Sequence, residues 1–144
     1  MAADRRADVV WEGSLMEGSG TVVKTGSGVL PELPVTWASR TESPGGRTSP
    51  EELIAAAHAS CFAMALSHAL AQAGNPPERL ETSATVTFVP GTGITKSALT
   101  VTGTVPGIDE QAFREAAEGA KEDCPVSGAL KGNVELTLDA RLAA

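Results

Sequence analysis

The sequence predicts an α+β fold, antiparallel strands with one long central helix, and three observations carry that expectation. Short β-branched segments separated by Gly and Ser fill the first third of the chain. The stretch from Leu53 to Pro77 then holds no Asp, Glu, Lys or Arg and is rich in alanine, a helical composition. Beyond it, apolar and polar residues alternate in three further segments. At 144 residues the chain reads as one domain, 1–144, able to bury roughly two-thirds of its unfolded surface.

The elements follow in order. Asp8-Val-Val-Trp-Glu12, Gly20-Thr-Val-Val-Lys24 and Leu33-Pro-Val-Thr-Trp-Ala38 read as strands, with Pro31 and Pro34 placing the third at an edge. Ser43-Pro-Gly-Gly is a loop. Ser49 fits a helix N-cap, Pro50 the first helical position and Glu52 the third, a capping box with proline inside it. That helix should run from about Pro50 to Ala73 and end at Gly74. Ala57, Cys61 and Ala65 give it a narrow small-residue face suited to close approach of another backbone, such as the equivalent helix of a partner.

Ala84, Val86 and Phe88 alternate with threonines, as do Leu99, Val101, Gly103 and Val105. Asp109 caps an amphipathic helix to about Glu122, and Cys124-Pro125 starts a short third one. In the last strand Val134, Leu136, Leu138, Ala140 and Leu142 face inward. No internal repeat or low-complexity segment interrupts this order.

Composition excludes several functions. A net charge of −7 offers no basic face for phosphates, and three Phe, two Trp and no Tyr give little material for base stacking. The charged N-terminus, Met1-Ala-Ala-Asp-Arg-Arg-Ala-Asp8, lacks a following apolar region, which sets the expectation of a cytoplasmic protein. Leu53 to Pro77 is long enough to cross a bilayer, but His58, Ser60, Ser67, His68 and Gln72 suit a close-packed core helix better.

The two cysteines carry the chemistry. Reducing compartments rarely preserve structural disulfides, so one interior thiol and one at a helix start suggest a redox couple. Cys61 lies deep in its helix, where burial would raise its pKa, so a reactive Cys61 needs a cation against it. Its bland role is a small buried hydrophobe. Cys124 at an N-cap would face free amides, which lower a thiol pKa; its bland role is a simple cap residue. His58, on the same side of the helix as Cys61, could join His68, Cys61 and Cys124 in a zinc set. The spacing is not a zinc pattern, however, and neither a phosphate-binding loop nor a nucleophile elbow is present.

Trp11-Glu-Gly, Gly20-Thr, Thr48-Ser-Pro-Glu-Glu-Leu-Ile-Ala-Ala-Ala-His-Ala-Ser-Cys61, Val105-Pro-Gly-Ile-Asp109 and Cys124-Pro-Val-Ser together resemble the OsmC/Ohr family of hydroperoxide reductases. The matches run in order along almost the whole chain. The OsmC branch fits better, because Arg40 follows Thr36-Trp-Ala-Ser and no arginine stands between Arg6 and Arg40. The resemblance implies an intertwined homodimer with interface sites and an OsmC-like fold. It implies that Cys61 is the peroxidatic thiol, Cys124 the resolving thiol, and Arg40 and Glu51 their polar partners. The guanidinium supplies the cation that Cys61 needs, and Glu51 orients it in a bidentate pair. Arg47 is the rival cation.

On this reading Cys61 reduces organic hydroperoxides, and hydrogen peroxide more weakly, in oxidative-stress defence. It becomes a sulfenic acid, then a Cys61–Cys124 disulfide that an external dithiol or thiol protein reopens. Phe62 and Met64 would favour alkyl peroxides, and no metal, haem or flavin is required. The competing readings are a non-catalytic zinc-binding domain and a small-molecule-binding domain with inert thiols.

Overall fold

A computed structural model describes residues 2–143, and the chain falls into two units, Met1–Leu53 and Ile54–Ala144. In the first, β1 (Ala7–Glu12), β2 (Ser19–Thr25) and β3 (Leu33–Val35) form an antiparallel sheet in that order. Gly20 allows β2 to pass beneath a neighbour's ring: a Cβ there would lie 2.6 Å from a Trp11 ring carbon. The third strand stops three residues earlier than its β-branched content suggests, and Trp37–Thr41 is a short helix, α1. A reciprocal cap forces the change. Thr36 Oγ1 accepts from the Ser39 amide and Ser39 Oγ from the Thr36 amide, both at 3.0 Å. Ser39 Oγ also donates to the Thr48 carbonyl at 2.8 Å, fixing the loop that leads to the next helix.

The long helix α2 spans Pro50–Gln72 without a break. Ser49 Oγ accepts from the Glu52 amide at 3.2 Å, which is half of the expected capping box. The other half is absent because the Glu52 carboxylate takes the Thr48 hydroxyl at 2.7 Å instead. Gly74, at φ +88°, ends the helix. By length and composition α2 could cross a membrane, yet its Phe62, Leu66 and Leu70 stripe is fully buried in the core of the second unit.

The small-residue face is also less open than the spacing implied. Ala57 is exposed, but Cys61 and Ala65 pack against the core, and a neighbouring stripe, Ala56, Ser60, Met64 and His68, is exposed along its length.

In the second unit β4 (Arg79–Val89) pairs antiparallel with β5 (Gly93–Thr104), and β5 pairs with β6 (Glu135–Leu142). That last pairing is parallel, where antiparallel strands were expected throughout. The helices α3 (Glu110–Asp123) and α4 (Pro125–Leu130) lie between β5 and β6 in sequence and supply the crossover a parallel pair requires. Asp109 caps α3 as expected, accepting from the Ala112 amide at 2.8 Å.

One face of this sheet and the inner faces of α2 and α3 make the core, with Phe62, Leu99, Val101, Phe113 and Ala140 buried in it. Complete burial of each phenylalanine contributes roughly 1.5–3 kcal/mol. Gly103 makes room for α3, since a Cβ there would lie 2.5 Å from the Phe113 ring.

Candidate active site

The residues singled out by sequence form two pairs, one in each unit. The first is ionic. Arg40 sits on α1, just past the segment Leu33–Ala38 that was expected as a strand, and Glu51 occupies the first turn of α2. Arg40 Nε donates to both Glu51 oxygens at 3.0 and 3.1 Å, and Nη2 donates to Oε2 at 2.9 Å. Glu51 is only 6% exposed, whereas the Arg40 side chain keeps 28%. A planar guanidinium is thus fixed edge-on by a buried carboxylate, with the Trp37 ring centre 5.9 Å from its central carbon. The rival cation, Arg47, is exposed on the preceding loop.

The second pair is the thiols. Cys61 lies on α2, half-buried, and Cys124 is fully buried where α3 ends and α4 begins; both are free. The backbone brings them together because the Cys124 amide closes α3 on the Ala120 carbonyl while Pro125 opens α4. They lie close enough for each to shift the other's ionisation.

Their surroundings separate their acidities. Burial, and then the neighbouring Cys124, push Cys61 up, against a smaller opposing effect of the Val126 amide. Burial also acts to raise Cys124. There, the neighbouring Cys61, the Ser127 amide and hydroxyl and the Val126 amide outweigh it, so Cys124 ends below its ordinary value. The directions agree with the environments read from sequence. Within one chain, negative charge is favoured at Cys124.

His58, a zinc candidate by sequence, has partners the sequence did not disclose. His58 has no exposed surface; its Nδ1 is 2.6 Å from Ser97 Oγ and its Nε2 2.8 Å from Ser127 Oγ. Burial pulls its pKa down. Ser97 and Ser127 lie 39 and 69 residues from His58 along the chain, which is why spacing could not connect them. The available signals were Ser127 three residues after Cys124 and His58 three before Cys61.

The zinc set does not assemble. Both His58 nitrogens are taken by serines, His68 is on the exposed stripe, and no group of three or more His, Cys, Asp or Glu is placed to hold a metal among the described residues. Phe62 is wholly in the core, so of the two apolar residues expected near substrate only Met64, 72% exposed, is reachable.

Comparisons with known proteins identify the family. A family model described as OsmC-like protein matches residues 43–139. The chain is 45% identical to the peroxiredoxin OsmC of Escherichia coli over 99% of both proteins. It is 33% identical to the organic hydroperoxide resistance protein of Xanthomonas axonopodis pv. citri, over 65% of this chain and 67% of that one. The crystal structure of the organic hydroperoxide resistance protein OhrB of Bacillus subtilis superposes with a TM-score of 0.68 at 26% identity. That match covers 94% of this chain and 98% of the other. With the family match spanning most of the chain and a full-length relative this similar, the chain belongs to the OsmC family.

Proposed function

We propose that this protein is a thiol-dependent peroxidase that reduces organic hydroperoxides to alcohols, in defence against oxidative stress. The observation that carries the reading is the pair of free thiols that bear on each other's ionisation, one half-buried on α2 and one at the N-cap of α4. The peroxide-reducing relatives of similar length support it.

The Cys61 thiolate attacks the terminal peroxide oxygen, the O–O bond breaks, and the departing alkoxide takes a proton to become the alcohol. The Cys61 sulfenic acid then condenses with Cys124 to a disulfide and water. A dithiol or thiol protein returns both cysteines to the reduced state. All of the redox chemistry resides in the two sulfurs, which is a thiol mechanism needing no prosthetic group.

The acidities within one chain impose a condition on the first step. Cys61 must carry the charge to act as nucleophile, yet burial and Cys124 both oppose it. A cation against Cys61 reverses that preference, and Arg40 held by Glu51 is the cation presented for it. On the unbroken helix α2, Glu51 and Cys61 are separated by about 15 Å of rise. The reading is therefore a homodimer in which the Arg40–Glu51 pair of one protomer serves the thiols of its partner. The two units act as one domain within that cytoplasmic dimer.

Peroxide consumption in the presence of a dithiol tests the activity. Cumene hydroperoxide should be reduced, faster than hydrogen peroxide, with cumyl alcohol formed in equal amount. Turnover that persists after both cysteines are replaced by serine would reject the mechanism.

A further inference from the structure

The peroxidase reading uses two sulfurs and one ion pair, and leaves unexplained a completely buried histidine with both ring nitrogens engaged. His58 joins three elements: Ser97 on β5, its own helix α2, and Ser127 on α4. Ser127 occupies the third position of the turn that Cys124 begins, from which a side chain faces back toward the N-cap residue. Its hydroxyl is among the groups that favour the charged form of Cys124.

The polarity of this row follows from counting protons. A serine hydroxyl has one proton, and if Ser127 directs it at Cys124, its oxygen must accept from His58 Nε2–H. Nδ1 of the neutral ring then accepts from the Ser97 hydroxyl. Burial holds His58 below its ordinary pKa, in keeping with a neutral ring. With that polarity, every donor in the row Ser97, His58, Ser127 is aimed toward Cys124.

Resting on the two-thiol peroxidase reading, we propose that His58 is a positioning residue for the resolving step, fixing the Ser127 hydroxyl as a hydrogen-bond donor to Cys124. In that step a Cys124 sulfur lone pair attacks the Cys61 sulfur of the sulfenic acid. The Cys61 S–O bond breaks, and hydroxide leaves with its electron pair. It gains the proton that Cys124 gave up, so the products are the disulfide and one water. The Cys124 sulfur is oxidised and the sulfenic sulfur reduced. Ser127, oriented by His58, keeps Cys124 ready for that attack and bears on the preceding attack on peroxide only through the influence of Cys124 on Cys61.

Rapid mixing of the reduced protein with one equivalent of cumene hydroperoxide separates the steps. Peroxide loss reports the first, and disulfide formation, with dimedone trapping of the sulfenic acid, reports the second. In Ser127→Ala and His58→Leu the first rate should stay within about twofold, while disulfide formation slows roughly tenfold to a hundredfold and trapped sulfenic acid rises. His58→Gln, whose amide can still donate to Ser127, should recover part of the lost rate. Ser127→Ala removes little volume and keeps the test available if His58→Leu does not fold. Disulfide formation at the native rate in Ser127→Ala, or equal slowing of both steps in every variant, overturns the assignment. If the unsubstituted protein consumes no peroxide, the peroxidase reading falls and this role falls with it.

Discussion

The two units of the chain solve different problems. The second encloses its own core, with Phe62, Leu66, Leu70, Leu99, Val101 and Phe113 at 2% exposure or less, and it holds both thiols. The first buries Val22 but leaves Val9, Val10, Trp11, Leu15, Met16, Val23, Val29 and Leu30 exposed, and it holds the Arg40–Glu51 pair. Such exposed apolar side chains suit the covered face of the proposed homodimer. On that proposed reading the nucleophile lies where packing is complete within one chain and its activating charge where apolar side chains stay exposed, which would make reactivity conditional on assembly.

The sharpest way to break the comparison lies within the second unit, between its two cysteines. Cys61→Ser should abolish peroxide reduction, whereas Cys124→Ser should retain one turnover and stop at the sulfenic acid. Mass spectrometry of the peroxide-treated variants distinguishes them. Equal loss of the first turnover in both would show that the thiols do not have separate roles.

A smaller effect is expected in the first unit. Arg40→Ala should slow the attack on peroxide on the order of a hundredfold, the scale of losing one preorganised charge, while the fold persists. Arg47→Ala should leave the rate unchanged, because that side chain is exposed on its loop. Stopped-flow peroxide consumption compares the two, and the opposite result would move the cation's role to Arg47.

The smallest effect is on stability and concerns His58. Burial lowers its pKa in the folded state from an ordinary value of 6.5. The unfolded chain thus binds more protons as pH falls below about 6.5, and stability declines with it until the folded-state value is passed. Above that window both states are neutral and the contribution is level. Urea unfolding from pH 7.5 to 5 should show this decline, with a shallower slope in His58→Gln. An identical slope in the variant would mean that His58 is not the group responsible.

Local signals made much of this legible. Asp109 caps α3 because its side chain meets an amide three residues on, and Ser49-Pro50 starts α2 for the same short-range reason. The thiol couple was legible in the positions of the two cysteines, while their separate roles and the ion pair followed from a family resemblance; the geometry of neither pair followed from spacing. What escaped detection was settled by contact or by competition. The α1 helix depends on a Thr36–Ser39 cap following a strand-like run, and the parallel β6 depends on a crossover. The Ser97–His58–Ser127 row joins three separate elements, and no periodicity records such a meeting.

The division between the units is tested most directly by complementation. Cys61→Ser and Glu51→Ala, each inactive alone, are unfolded together and refolded as a mixture. If the Arg40–Glu51 pair serves the partner's thiols, each heterodimer contains one complete site, and random pairing restores about a quarter of native activity. Demonstrated heterodimers with no recovered activity would contradict the account, placing both pairs of a site in the same chain.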